Sequence, residues 1–378
     1  MAANPLARLS ELGQSVWYDY IRRDLMSSGT LDRYIEEDRL AGMTSNPTIF
    51  QKAIAETDLY DDDIQTGASD LDDAALFDAI AFADIQNAAD RFRKVYDASL
   101  GRDGYVSLEV APTLARDTEA TISEVRRLFK ACDRPNVMIK IPGTREGLPA
   151  IETCLTEGIN INITLLFSVD RYREVMEAWL SALETRVERG LPVDRLASVA
   201  SFFVSRVDTN ADAAIEAALK SAKSEADRKR LTAIRSRLGL ANARLAYQAW
   251  IETVRDSERF LLLKEKGARP QRPLWASTST KDPNLPDTFY VEALAGPETV
   301  NTMPPHTYDA YRDHGQPEVR VEHELDAARE AFATLEAFDI DFAAIAADLE
   351  EDGVKKFADS YHGVLEAIAA KREQIQAD

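Results

Sequence analysis

Between residues 158 and 168 the chain reads GININITLLFS, and isoleucine alternates with a polar residue from Ile159 to Thr164. A period of two is the period of a β-strand, so Ile159, Ile161 and Ile163 form one face and Asn160, Asn162 and Thr164 the other. The habit recurs. In YVSLEV (105–110), Tyr105, Ser107 and Glu109 oppose Val106, Leu108 and Val110. In VMIKIP (137–142), Met138 and Lys140 oppose Val137, Ile139 and Ile141. In SVWYDY (15–20), Trp17 and Asp19 share a face. RLAGM (39–43), LASVASFFV (196–204), PLWAS (273–277) and ETVNTM (298–303) also have strand character.

Helical patterns separate most of these runs. One covers residues 74–98, and another is REGLPAIETCLTEG (145–158), closed by Gly158, a residue suited to ending a helix. Strands alternating with helices predict a parallel sheet, and eight runs predict an α/β fold of the (β/α)8 TIM barrel type rather than an open sheet. Residues 51–73 are acidic and predict an exposed loop with a short helix. Residues 206–272 are too long for one crossover helix and predict two or three, a long insertion after strand 6. Residues 318–378 predict helices packed on the outside of the barrel. The expected organisation is one domain over residues 1–378, with extra helices at the N- and C-termini.

In a parallel barrel the strand face that meets the helices must be apolar, and the other face points inward. Inward polar groups near the C-terminal strand ends mark the active site of this architecture. Glu109, Lys140 and Asn162 are each separated by roughly one βαβ repeat of about 30 residues, which sets Glu109, Lys140, Asn162 and Thr164 side by side. Lys140 is flanked by apolar residues. Its nearest rival, Lys264, lies beside Glu265 and Lys266 just before Gly267, as at a helix end in water. Burial disfavours the charged form of a lysine, and a neutral amine is the nucleophile that forms Schiff bases with carbonyls. A Lys140–Glu109 ion pair filling the barrel is the structural alternative. One ion pair, however, has no use for Asp19, Asn46, Asn162, Thr164 and Ser201 as well. A Schiff-base lyase needs proton shuttles and groups that hold substrate hydroxyls.

The formal charge of -20 on 378 residues disfavours nucleic acid and anionic lipid as partners, and an anionic substrate would need locally concentrated Arg or Lys. Two cysteines, Cys132 and Cys154, suit a reducing cytoplasm better than a disulfide framework. The N-terminus has no secretory pattern and no run is long enough to span a bilayer. Four scattered histidines give no metal signature. The acidic run at residues 61–63 reads as a solvated helix start rather than a cation site. No Gly-rich phosphate loop follows any strand, which argues against nucleotide binding.

The motifs GMTSNPTIF (42–50), VMIKIPGTREGLPAI (137–151), GININITLLFS, SVASFFVSRVDT (198–209) and EEDGVKKFADSY (350–361), in this order, resemble the transaldolase family, class I Schiff-base enzymes of the pentose phosphate pathway. The resemblance implies a (β/α)8 barrel with the lysine on its fourth strand. It implies Lys140 as the Schiff-base residue and Asp19 as the base for the donor's C4 hydroxyl. It pairs Glu109 with Thr164 through a water, and assigns Asn46, Asn162 and Ser201 to the dihydroxyacetone unit. It gives the sugar phosphate to Arg206, with Ser277 beside it. The implied reaction moves a dihydroxyacetone unit between sedoheptulose 7-phosphate and glyceraldehyde 3-phosphate, or back from fructose 6-phosphate, with no metal or organic cofactor. Ser279 departs from the arginine that the family often carries there, and Lys281 is the candidate replacement charge. Phe203 fits a transferase, because sister enzymes that release free ketone tend to have tyrosine. Such an aldolase, and a non-catalytic sugar-phosphate-binding barrel, are the competing readings; a monomer and a homodimer are both compatible with the chain.

Overall fold

The computed structural model describes residues 4–67 and 70–377, with the side chains of residues 376 and 377 left aside. The eight runs become eight strands: β1 (Gln14–Asp19), β2 (Gly42–Thr44), β3 (Tyr105–Glu109), β4 (Val137–Pro142), β5 (Ile161–Leu166), β6 (Ser198–Phe203), β7 (Arg272–Ala276) and β8 (Thr299–Met303). All neighbours pair in parallel and β8 returns to β1, closing the barrel. The two faces read from alternation enter different packing. Val16, Val106, Ile139, Ile163, Phe202 and Trp275 join the surrounding helices in one apolar cluster. The alternate residues Trp17, Tyr105, Met138, Val199 and Leu274 gather in a second. Gly42 is glycine because the Trp17 ring lies against it; a Cβ there would come within 2.5 Å of the indole. Arg272 is tied to Ser15, the Arg102 carbonyl and Asp103 at 2.7–2.8 Å.

Most strand ends lie within one or two residues of the sequence reading, and the departures at β2 and β5 have identifiable causes. β2 is only Gly42–Thr44, because Arg39 takes a left-handed φ of 55° and Leu40 and Ala41 remain in the connection. β5 starts at Ile161 rather than Ile159. Asn160 donates to the Pro135 and Val137 carbonyls and accepts from the Ala197 amide, so it clamps neighbouring segments instead of facing a polar site. β5 also runs on to Leu166 through an irregularity, with Leu165 at φ 58°.

The insertion after β6 has the expected span but more helices. It holds four helices, Ser205–Ser221, Glu225–Ile234, Leu238–Trp250 and Glu258–Glu265, with a π-turn at Ile251–Arg255. The acidic stretch 51–73 is less loop-like than expected; its Ala68 and Ser69 lie outside the described residues. It contains the helix Asp61–Gly67, held from outside by Lys371 on Asp61 and Arg23 on Asp63. The C-terminal helix Phe342–Ala377 does more than coat the barrel. It packs against the helix Pro47–Ala55, with Gly363 against the Gln51 side chain, and delivers Phe357 to the barrel mouth. Among the described residues no helix is long and apolar enough to cross a membrane.

Candidate active site

Register converts the spacing of polar residues into contact. Glu109 pairs with Lys140 across β3–β4, and Lys140 with Asn162 across β4–β5. The Lys140 ammonium donates to the Ser45 carbonyl at 3.0 Å and to Glu109 Oε2 at 3.1 Å. Both side chains are almost fully enclosed, 6% and 3% exposed, so the pair is shielded from water. Glu109 Oε1 and Thr164 Oγ1 are buried and have no hydrogen-bond partner among the described residues. Buried polar atoms are normally satisfied.

Asp19 ends β1 and accepts from Thr44 Oγ1 at 2.7 Å, and Thr44 meets Thr302 Oγ1 at 2.7 Å. Burial pushes the Asp19 carboxyl above the usual carboxylate range, opposed by the Lys140 charge, the Thr44 bond and Arg206. Burial likewise raises Glu109, opposed first by Lys140. Two carboxyls biased toward their protonated forms by burial, beside one amine, are suited to proton transfer.

Asn162 sits fully buried, donating to Ser107 Oγ at 3.1 Å and accepting from Ser201 Oγ at 2.7 Å. It therefore orients Ser201, which lines the cavity, as a bonded row across β3, β5 and β6. Asn46 has the turn role its position before Pro47 suggests: its Oδ1 caps the helix Pro47–Ala55 by accepting from Ile49. It lines the same cavity.

The same cavity also carries cationic side chains on the segments after β6 and β7. Arg206, in the first turn of the helix Ser205–Ser221, places its guanidinium 5.0 Å from the Phe203 ring centroid and 6.0 Å from that of Phe357. A salt bridge with Asp208 would be the ordinary role for this arginine, but Asp208 is turned away. It is buried, accepts from Gly239 N and Tyr290 Oη, and is pushed up to about 6 by burial. Arg206 Nη1 is left buried without a hydrogen-bond partner. Lys281 reaches Ser279 Oγ at 2.9 Å, and burial together with Arg206 lowers its pKa. Ser277, at φ 55°, meets Ser205 Oγ at 2.9 Å. Two cations that repel each other at one wall of a cavity are the arrangement an incoming dianion neutralises.

Asp19, Asn46, Lys140, Thr164, Ser201, Phe203, Arg206, Ser277 and Lys281 all line one cavity of about 220 Å³ at the C-terminal end of the barrel. Glu109 touches it through Lys140 and Asn162 through Ser201. Sequence reasoning missed Thr44, Thr302, His306 and Phe357, which also line it, together with Ala276, Ser279 and Pro304. Thr302 shares the face of Val300 and was readable from alternation; Phe357 carries no local signal. No cluster of metal-ligating side chains occurs among the described residues.

A sequence model described as transaldolase/fructose-6-phosphate aldolase matches residues 16–368. The chain is 48% identical over 371 residues to a transaldolase of Frankia alni, covering 97% of each. It is 48% identical over 370 residues to a transaldolase of Thermobifida fusca, covering 97% of this chain and 98% of that one. To a protein named transaldolase 2 from a Nostoc species it is 44% identical over 375 residues, 98% of each.

Proposed function

The chain belongs to the transaldolase/fructose-6-phosphate aldolase family and is an enzyme with transaldolase activity, and from that premise we propose that Lys140 carries the transfer as a Schiff base. The observation that supports this most directly is the enclosed Lys140 amine, 3.1 Å from Glu109, in a cavity also lined by Arg206, whose Nη1 is buried without a hydrogen-bond partner.

The substrates are phosphorylated sugars. The Lys140 amine adds to the C2 carbonyl of a ketose phosphate, and the carbinolamine loses water to give an iminium. Glu109 Oε1 and Thr164 Oγ1, the two unused buried oxygens, hold the water that shuttles these protons. Asp19 takes the proton of the C4 hydroxyl as the C3–C4 bond breaks. The bond's electrons move into the iminium, leaving an enamine on Lys140 and releasing an aldose phosphate. A second aldose phosphate then enters, and the same steps run backwards. The iminium is the electron sink, so the chemistry calls for no metal or organic cofactor. Asn46 and Ser201, the latter oriented by Asn162, hold the hydroxyls of the three-carbon unit. Arg206, Lys281 and Ser277 take the phosphate, and Lys281 supplies the charge that Ser279 lacks.

Transfer, rather than release of free dihydroxyacetone, fits Phe203. Its ring packs on Phe167 and Arg206 and offers no hydroxyl to guide water to the enamine. We place the reaction in the cytoplasm, as a step of the pentose phosphate pathway, carried by one domain over residues 1–378. The buried free thiols of Cys132 and Cys154 are consistent with a reducing compartment.

The test is borohydride reduction in the presence of fructose 6-phosphate, followed by peptide mass spectrometry. A reduced adduct on Lys140 is expected. Folded protein that yields no adduct on Lys140 would remove the Schiff-base reading and leave Lys140 as a structural partner of Glu109.

A further inference from the structure

His306 lines the catalytic cavity, and its imidazole has no hydrogen-bond or ionic partner among the described residues. It is exposed at the mouth, yet its backbone is tightly placed. β8 ends at Met303, a single residue, Pro304, follows, and the helix Pro305–His314 begins at once. Two consecutive prolines fix φ near −65° at both positions, so the second residue of this helix has little freedom to wander.

The position of β8 in the ring gives His306 a neighbour. β8 pairs with β7 on one side and β1 on the other. The groups assigned to phosphate follow β6 and β7, namely Arg206, Ser277 and Lys281, while Asp19 ends β1. If the aldehyde carbon of an aldose phosphate lies at Asp19 and its phosphate at Arg206 and Lys281, the carbons between them pass the end of β8. Thr302 lies on the inner wall there and His306 at the rim. Both ends of the aldose are fixed, so a four-carbon aldose must bow relative to a three-carbon one. The cavity floor is closed by strand residues, which leaves the open mouth as the direction of the bow.

We infer that His306 binds the extra hydroxyl of the four-carbon aldose portion and so sets the enzyme's preference between four- and three-carbon substrates. This rests on the Schiff-base reading above. His306 is a specificity residue: it touches substrate away from the bond that breaks.

The experiment compares kcat/KM for sedoheptulose 7-phosphate and erythrose 4-phosphate with kcat/KM for fructose 6-phosphate and glyceraldehyde 3-phosphate. Enzyme and variants are checked for folding by circular dichroism. Loss of one hydrogen bond to a hydroxyl corresponds to roughly a five- to tenfold effect. In His306→Ala the ratio of four- to three-carbon kcat/KM is expected to fall by about that factor. The ketose and its aldose should move together, because they are the two directions of one half-reaction. His306→Gln, which keeps a donor and an acceptor, is expected to return the ratio to within about twofold of the parent. A ratio unchanged by His306→Ala, or not restored by Gln, overturns the inference even when borohydride labels Lys140 normally. Absence of the Lys140 adduct in the parent enzyme would instead sink the Schiff-base reading, and this inference with it.

Discussion

Replacing Arg206 by methionine should weaken catalysis and strengthen the fold at once. Its guanidinium lies between Phe203 and Phe357, Nη1 is buried without a hydrogen-bond partner, and Lys281 adds a second positive charge nearby. Burial lowers its pKa despite the opposing influence of Asp19, Asp352 and Glu109, as expected for a charge that has surrendered water without a close partner. Methionine can fill the space between the rings without that cost, so the variant should be about 1 kcal/mol more stable. In a chain of this size that is a rise in Tm of roughly 1–2 °C. Against this, each charge-assisted hydrogen bond to phosphate contributes about 1.5–3 kcal/mol. Two are lost while Lys281 and Ser277 remain, so the lower end applies, about 3 kcal/mol or roughly a hundredfold in kcat/KM. The assay is kcat/KM with fructose 6-phosphate and with unphosphorylated fructose as donors, beside a thermal melt without ligand. An equal fractional loss with both donors would show that Arg206 does not act on phosphate. A lower Tm would show that the guanidinium has structural partners that outweigh its desolvation.

Lys140→Met should abolish turnover while the barrel still folds, and it strands Glu109. Breaking an enclosed pair costs about 3 kcal/mol, and with Lys140 gone burial raises the Glu109 carboxyl without its main opposition. A group raised in the folded state favours folding at low pH, so urea melts should find the deficit smaller at pH 5 than at pH 8; the reverse order would refute the pairing. Asp19→Asn should slow transfer by roughly 10²–10⁴-fold, yet leave borohydride trapping of fructose 6-phosphate intact; loss of trapping would move Asp19 to an earlier step. Asp208, raised from 3.8 to about 6, favours folding fully below its unfolded pKa and loses that contribution as pH rises through about 6. Two units correspond to about 3 kcal/mol, so the stability of the parent relative to Asp208→Asn should fall by up to that amount between pH 4 and pH 6. A flat difference would mean that Gly239 and Tyr290 already hold the carboxylate charged.

Much of this protein is local in origin. Period-two alternation marked four strands and strand-like composition four more, and in a parallel barrel alternation also decides which side chains look inward, so Asp19, Glu109, Lys140, Asn162 and Thr164 could be assigned a common interior before any contact was known. The sequence reading failed where position along the strand mattered as well as face. Asn160 shares the alternation of Asn162 and Thr164, but it precedes the strand and its amide is consumed by three backbone groups. Alternation encodes which side a residue takes; it does not encode height above the barrel floor.

Other features depend on residues far apart in the chain. The orientation of Asp208 away from Arg206 depends on Gly239 and Tyr290, which the four-helix insertion and the segment after β7 bring together. Phe357 reaches the cavity because the C-terminal helix docks on the helix Pro47–Ala55. Thr44 and Thr302 meet beside Asp19 only because β8 closes against β1. The sequence by itself determined the strands and their faces and singled out Lys140 as the candidate nucleophile, since these follow from backbone periodicity and near-neighbour chemistry. Tertiary structure alone decided which polar atoms are left unpaired, and therefore which can act, because whether a buried group is satisfied depends on every segment packed around it.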